Sequence, residues 1–205
     1  MRFRNLVLVT LAVIIAAAAG ALAKLRFHPS RAARPAFTLV SRVTYINPHD
    51  NSERVAQETR YVSSNGSFHT IHTDPNGQTR EYFFELGRGY FSVNHQKGLL
   101  FQDRKVSPSG PTGAPLTAEQ LRSSPQLIRT EKLFGLTAYV LRVMEVETGL
   151  PSVDIYRTVE LGSTPLKVIN YSDGKVATIT DPVNIVWGEP TASLLKGPDY
   201  PVAQQ

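Results

Sequence analysis

From Phe37 onward, polar and apolar residues alternate. Phe37, Leu39, Val43 and Tyr45 fall on one side of an extended segment and Thr38, Arg42 and Thr44 on the other, the period of two that a half-buried strand requires. Residues 54–62 and 68–73 repeat the pattern, and Ser64-Asn65-Gly66-Ser67 between them is a tight-turn signal. In Asp74-Pro75-Asn76-Gly77, proline presets φ and glycine can take the left-handed position, so the chain turns there into a fourth strand over 78–85. Gly87-Arg88-Gly89 and His95-Gln96-Lys97-Gly98 set off two more, over 90–94 and 99–102. Strands joined by turns this short form an antiparallel meander.

Residues 107–115 are Pro, Gly, Ser and Thr apart from Ala114, a loop. Thr117-Ala118-Glu119-Gln120 reads as a capping box with Thr117 as N-cap, and residues 126–134 as a second helical piece ending at Gly135. A second β region then predicts strands over 137–147, 152–160, 166–170, 175–180 and 183–187, with a hairpin at Asp173-Gly174. The sum is a mainly β fold: a curved antiparallel sheet or half-open barrel of about ten strands with one or two short helices, residues 37–205 forming a single domain.

Before residue 37 the pattern is different. Residues 6–15 contain one polar residue, Thr10, after a start bearing Arg2 and Arg4, and Ala21 and Ala23 are small enough for signal peptidase. Residues 1–23 thus read either as a cleaved signal peptide or, since 6–23 is 18 residues long, as an N-terminal hydrophobic helix retained as an anchor. The basic linker that follows, 24–36, carries Lys24, Arg26, Arg31 and Arg34. The positive-inside rule would keep the domain after such a flank in the cytoplasm, while the alanine pattern favours an extracytoplasmic, periplasmic or secreted, location.

Charge narrows the partners. Six of the 22 Lys and Arg precede residue 37 and all 17 Asp and Glu follow it, leaving 16 basic against 17 acidic groups, a net of −1, in residues 37–205. A nearly neutral domain does not suit nucleic acid. The membrane-proximal cations suit an anionic lipid surface or a solvated tether. With no cysteine, disulfides, thiol catalysis and lipid-modified N-terminal cysteine are excluded.

The segment 82–101 is unusual in carrying large apolar groups on both faces. Tyr82 and Phe84 oppose Phe83, Phe91 and Val93 oppose Tyr90, and Leu99 and Phe101 oppose Leu100. A sheet with one wet face has one apolar side, so something covers the second: the chain's own segments, an apolar ligand, or a second copy. Tyr82, Phe84, Tyr90, Phe91, Val93, Leu99 and Phe101 are the candidate ligand-binding residues.

Other constellations favour no reaction. His69 and His72 are three apart in a strand and face opposite sides, which prevents joint chelation, and they read as surface groups; His28, His49 and His95 fall in linker or turns without visible carboxylate partners. Glu145 and Glu147 would share one side of a strand, with Arg142 and Arg157 as ion-pair partners. Arg42, Arg54, Arg60, Arg80 and Arg88 would line a groove for anions or pair with Glu53, Glu58, Glu81 and Glu85, pairing being favoured. No GxSxG elbow or phosphate-binding fingerprint occurs. The reading is a non-enzyme without metal or cofactor.

The layout, an apolar leader, a meander with turns at Ser64-Asn65-Gly66-Ser67 and Asp74-Pro75-Asn76-Gly77, a helical insertion near 117–134, and a second meander closing at Leu194-Leu195 with Pro198 and Tyr200, resembles the periplasmic lipoprotein-carrier (LolA/LolB-like) superfamily and allied secreted bacterial proteins. The resemblance implies a half-open barrel with a concave apolar face, in a protein that ferries lipidated proteins or senses envelope stress. Two functions follow: an extracytoplasmic protein binding a lipid, acyl chain or apolar peptide, with a lipid or lipoprotein as partner, or a membrane-tethered structural or protein-interaction module without a small ligand.

Overall fold

The structure, a computed structural model, describes residues 34–103 and 116–203. Residues 1–23, expected to be a signal peptide or anchor, and most of the expected basic linker, with Lys24, Arg26 and Arg31, lie outside the described residues. Among those described, no helix is long and apolar enough to cross a membrane.

The first meander comprises β1 (Phe37–Ile46), β2 (Glu53–Val62), β3 (Phe68–Thr73), β4 (Thr79–Glu85), β5 (Gly89–Asn94) and β6 (Leu99–Asp103). The second, after helix α1 (Ala118–Arg122), comprises β7 (Leu127–Leu133), β8 (Leu136–Met144), β9 (Pro151–Arg157), β10 (Lys167–Ser172) and β11 (Lys175–Trp187). All eleven form one antiparallel sheet in the order β6-β5-β4-β3-β2-β1-β11-β10-β9-β8-β7, open at both edges. The first meander runs outward from the centre and the second runs inward, so the first and last strands pair.

Twisted sheets of this width curl or split. Here the curl is visible in the core, which brings Phe37 and Leu39 of β1 against Ala138 and Val140 of β8, Tyr156 of β9, and Leu161 and Leu166 of the β9–β10 connection. Strands three and four places apart in the sheet therefore share one interior. Each residue of that core is at least 95% buried, and burying a side chain of Leu or Phe size is favourable by about 1.5–3 kcal/mol.

Helix α1 is capped as expected: the Gln120 amide donates to Thr117 Oγ1 at 3.2 Å and the Thr117 amide to Gln120 Oε1 at 2.8 Å. It buries Leu121, and Arg122 sits over the Tyr139 ring of β8.

Three expectations are corrected. Residues 126–134 are not helical but form β7, because Phe134 and Gly135 both take positive φ, 52° and 74°, and make a two-residue turn whose twist matches a hairpin. Residues 175–187 are one 13-residue strand rather than two, since Pro182 sits where the register slips between Val40 and Ser41 and so needs no ladder donor. Strand β8 ends at Met144, placing Glu145 and Glu147 in the following turn, where Glu145 Oε2 accepts from Thr148 Oγ1 at 2.6 Å. Arg142 instead pairs with Asp154 across to β9, and Arg157 donates to the carbonyl oxygen of Ser163.

Candidate functional site

No register shift interrupts β1 to β6, so cross-strand partners assign each side chain of the first meander to a face. On the inner face, Phe37, Val62, Phe68, Phe84 and Tyr90 stand opposite one another in successive strands. Their rings pack closely: Phe68 stacks on Phe84 with centroids 5.9 Å apart, and Tyr90 lies 6.2 Å from Phe68 and 6.4 Å from Tyr82. The outer face carries His69, Glu81, Phe83, Phe91, Val93 and Leu100.

The outer face is covered by the chain's own C-terminal segment. Tyr200 packs on Phe83, Phe91 and Leu100, the Leu100 amide donates to the Pro201 carbonyl at 2.9 Å, and the Ala203 amide donates to the Leu100 carbonyl at 2.8 Å. That strap satisfies backbone groups of the edge strand β6 as well as shielding its side chains.

The inner face keeps a cavity of about 220 Å³. Its floor is Val62, Phe68, Tyr82 and Tyr90, with Arg60 at one side; Pro35, Arg34 and the connection 161–164 close it from above. That connection is held by its own bonds: the Leu161 amide donates to Thr158 Oγ1 at 3.2 Å, the Thr164 amide to the Leu161 carbonyl at 3.1 Å, and Arg157 to Ser163. Burial lowers the pKa of Arg157.

Polar groups gather at one end. Arg60 Nε donates to Thr70 Oγ1 at 3.1 Å, and Arg60 Nη2 stands 3.7 Å from Glu58, beyond hydrogen-bond range. Tyr82 donates weakly to Glu58 at 3.4 Å; burial, reinforced by that carboxylate, pushes its phenol up to about 12. Burial also raises Tyr90. Both phenols are therefore neutral donors near pH 7.

The seven candidate side chains do not share one surface. Tyr82 and Tyr90 line the cavity; Phe84 lies behind them, 99% buried; Leu99 and Phe101 share the inner face but stand outside the lining; Phe91 and Val93 are on the outer face under the C-terminal strap. Arg34, assigned to the linker, lines the cavity. Arg60 joins it although Arg80 and Arg88 pair with Asp74 and Glu85 as solvated ion pairs. Phe68 belonged to no candidate group, yet its alternation with Thr70 and His72 marks the inner face. Residues 161–164 bear no local signal; only the curl brings them here.

The histidines differ from expectation. His69 and His72 do face opposite sides but are 95% and 94% buried, not at the surface. His72 Nε2 contacts Tyr45 Oη at 3.0 Å and Asp74 at 3.1 Å. His95 does have a carboxylate partner: Glu81 is bridged between His69 Nε2 at 2.7 Å and His95 Nε2 at 2.8 Å, while His69 Nδ1 reaches the Leu194 carbonyl at 2.8 Å. Among the described residues no group of three His, Asp or Glu is arranged to hold a metal ion.

The bridge predicts a pH effect. Burial works to raise the Glu81 carboxyl, but His69 and His95 outweigh it and hold it below the ordinary 4.5. A depressed folded-state value adds stability above the unfolded value, and that stability is lost as pH falls through the folded value. Glu81→Gln is expected to cost about 1–2 kcal/mol at pH 7 and to flatten the decline in urea midpoint below about pH 4.5; an unchanged acid slope would show that the bridge contributes nothing.

Taken together, the fold and cavity define an open antiparallel β half-barrel with a small, largely apolar interior site. No protein-family profile and no curated protein matches this chain. Solved structures that it is similar to include an uncharacterized conserved protein from Thermus thermophilus (15% identity over 91% of this chain and 99% of that one, TM-score 0.49). They also include the MucA/MucB complex of Pseudomonas aeruginosa (16%, 81% of this chain but 56% of that one, TM-score 0.48) and a LolA superfamily protein from Nitrosomonas europaea (13%, 82% and 92%, TM-score 0.39). The superfamily that the strand layout resembles is thus represented among its structural neighbours.

Proposed function

We propose that this chain is a non-enzymatic, extracytoplasmic protein of the bacterial cell envelope that binds one aliphatic chain of a lipid, or a comparably slender apolar segment, inside the sheet. The observation that carries the reading is the cavity between Phe68, Tyr82 and Tyr90 below and Leu161 above, walled mainly by apolar groups and roofed by a self-bonded connection. Removing an alkyl chain from water into such a site is favourable by roughly 25 cal/mol per Å². Pockets for drug-sized ligands run from about 300 to 1,000 Å³; at about 220 Å³ this one suits a single chain rather than a whole multiply acylated anchor. The export pattern in residues 1–23 supports the location, and the apolar run 6–23 supports tethering to the membrane.

Titrating decan-1-ol into the full-length, delipidated chain is expected to give saturable one-to-one binding, with NMR shifts concentrated at Phe68, Tyr82 and Leu161. Ser163→Phe, which places a ring at the cavity while leaving the carbonyl that Arg157 grips, is expected to weaken binding at least tenfold, since roughly 1.4 kcal/mol of blocked apolar contact suffices. Shifts confined to the outer face, or no saturation, would refute the reading.

A further inference from the structure

Resting on the chain-binding reading, we infer that the cavity selects an amphiphile with an oxyanion head, a carboxylate or phosphate on a single alkyl chain, held by Arg60, Arg34 and Tyr90.

The lining is polarised. Phe68, Val62 and Leu161 offer carbon alone, whereas Arg34 and Arg60 bring two guanidinium groups to the same space. The Nε of Arg60 is committed to Thr70, which fixes the plane of the guanidinium and leaves its Nη edge as a preset fork. Glu58 at 3.7 Å tempers the charge without occupying those donors. An oxyanion matches the fork bidentately, which a hydroxyl or ester carbonyl cannot. Tyr90 adds a third donor, and its raised pKa keeps the proton available at neutral pH.

The physical logic is one of selection as much as attraction. A neutral chain filling the cavity would strip water from Arg60 and Tyr90 and supply them with no strong acceptor, and desolvated donors left unmade are costly. A cationic amphiphile would meet two like charges. A divalent metal lacks ligands, since among the described residues no group of three His, Asp or Glu is arranged to hold one. What remains is an anion with a greasy tail, and a free fatty acid and a lysophosphatidic acid share that chemistry.

The test compares decanoate, monodecyl phosphate, decan-1-ol and acetate by calorimetric titration of the full-length, delipidated chain at pH 7. The anionic chains are expected to bind roughly tenfold to a hundredfold more tightly than decan-1-ol, a preference that shrinks at high salt, and acetate is expected not to compete. Whichever of decanoate and monodecyl phosphate binds more tightly identifies the head group. Arg60→Gln and Arg34→Gln should each lower the ratio of decanoate to decan-1-ol affinity, with Tyr90→Phe a smaller loss; Arg34→Gln serves should Arg60→Gln not fold. Equal binding of decanoate and decan-1-ol by the wild type, or a preference that survives both arginine substitutions, would overturn the head-group assignment while sparing chain binding. Failure of all three chains to bind would overturn both.

Discussion

Arg142→Met is expected to lower the unfolding free energy by about 3 kcal/mol at pH 7, and Asp154→Asn by only about 1–2 kcal/mol, although the two side chains form one pair. The asymmetry comes from where each charge sits. Asp154, on β9, is 1% exposed, while the Arg142 side chain, directly opposite on β8, is 31% exposed. Two parallel bonds of 2.7 Å join them, and Tyr171 of β10 donates to the same carboxylate at 2.9 Å. Deleting the cation leaves a buried anion with one neutral donor; deleting the anion leaves a cation that water can reach.

The pH dependence separates this account from simple loss of packing. In the wild type, the Arg142 bonds, with Tyr171, hold Asp154 below its ordinary 3.8 against the opposing effect of burial. Its contribution is therefore present above the unfolded value and lost as pH falls through the folded one. In Arg142→Met, burial is left with the Tyr171 hydrogen bond and the weaker charge of Arg129 opposing it, and the folded value rises. Protonation then relieves the variant, and the gap between variant and wild type should narrow steadily between pH 7 and pH 4 in urea melts. A gap independent of pH, or equal losses for the two single variants, would contradict the argument. The consequence reaches the cavity, because β9 and β10 carry the connection 161–164 that roofs it.

How much of this was legible beforehand depends on the range of the interaction responsible. Alternation and turn residues placed the first meander within a residue or so, since Phe68–Thr73 and the Asp74-Pro75-Asn76-Gly77 turn are decided locally. Local reading failed where a distant partner decides. Residues 127–133 have an ambiguous apolar spacing and became a strand because β8 pairs with them. Pro182 reads as a break until the bulge opposite Val40 and Ser41 is known. His95 sits in a turn, and only the β4–β5 register brings it to Glu81. The site divides in the same way. Tyr82 and Tyr90 were legible as candidate binding residues, though not separable from Phe91 and Val93, but Leu161 to Thr164 lie about 100 residues from Arg60 in sequence and arrive through the closing pair of β1 with β11. The inference that greasy groups on both faces need covering held for a reason readable in composition, while the identity of each cover was not.

Gly197→Ala tests the outer cover and should be the most disruptive Gly→Ala change among the described residues. The Cβ it adds would lie 2.0 Å from Cε1 of Phe83, and the glycine is required by that close approach rather than by its backbone angles. Phe83 cannot yield, being 1% exposed, stacked on Phe91 at 5.1 Å and flanked edge-on by His69 at 6.0 Å. The strap must therefore lift, taking with it the Tyr200 contact and the two backbone bonds to Leu100. Overpacking of this kind costs about 1–3 kcal/mol, with lost edge bonds adding to it. Amide exchange at Leu100 and Ala203 is expected to accelerate strongly, and the uncovered Phe83, Phe91 and Leu100 should bind a hydrophobic dye. Phe83→Leu in the same chain shortens the obstructing side chain and should restore part of the protection, a coupling that two independent lesions would not show. Unchanged exchange at Leu100 in Gly197→Ala would mean that the strap does not guard this face, and with it would fall the account of how an edge strand bearing apolar groups on both sides stays out of water.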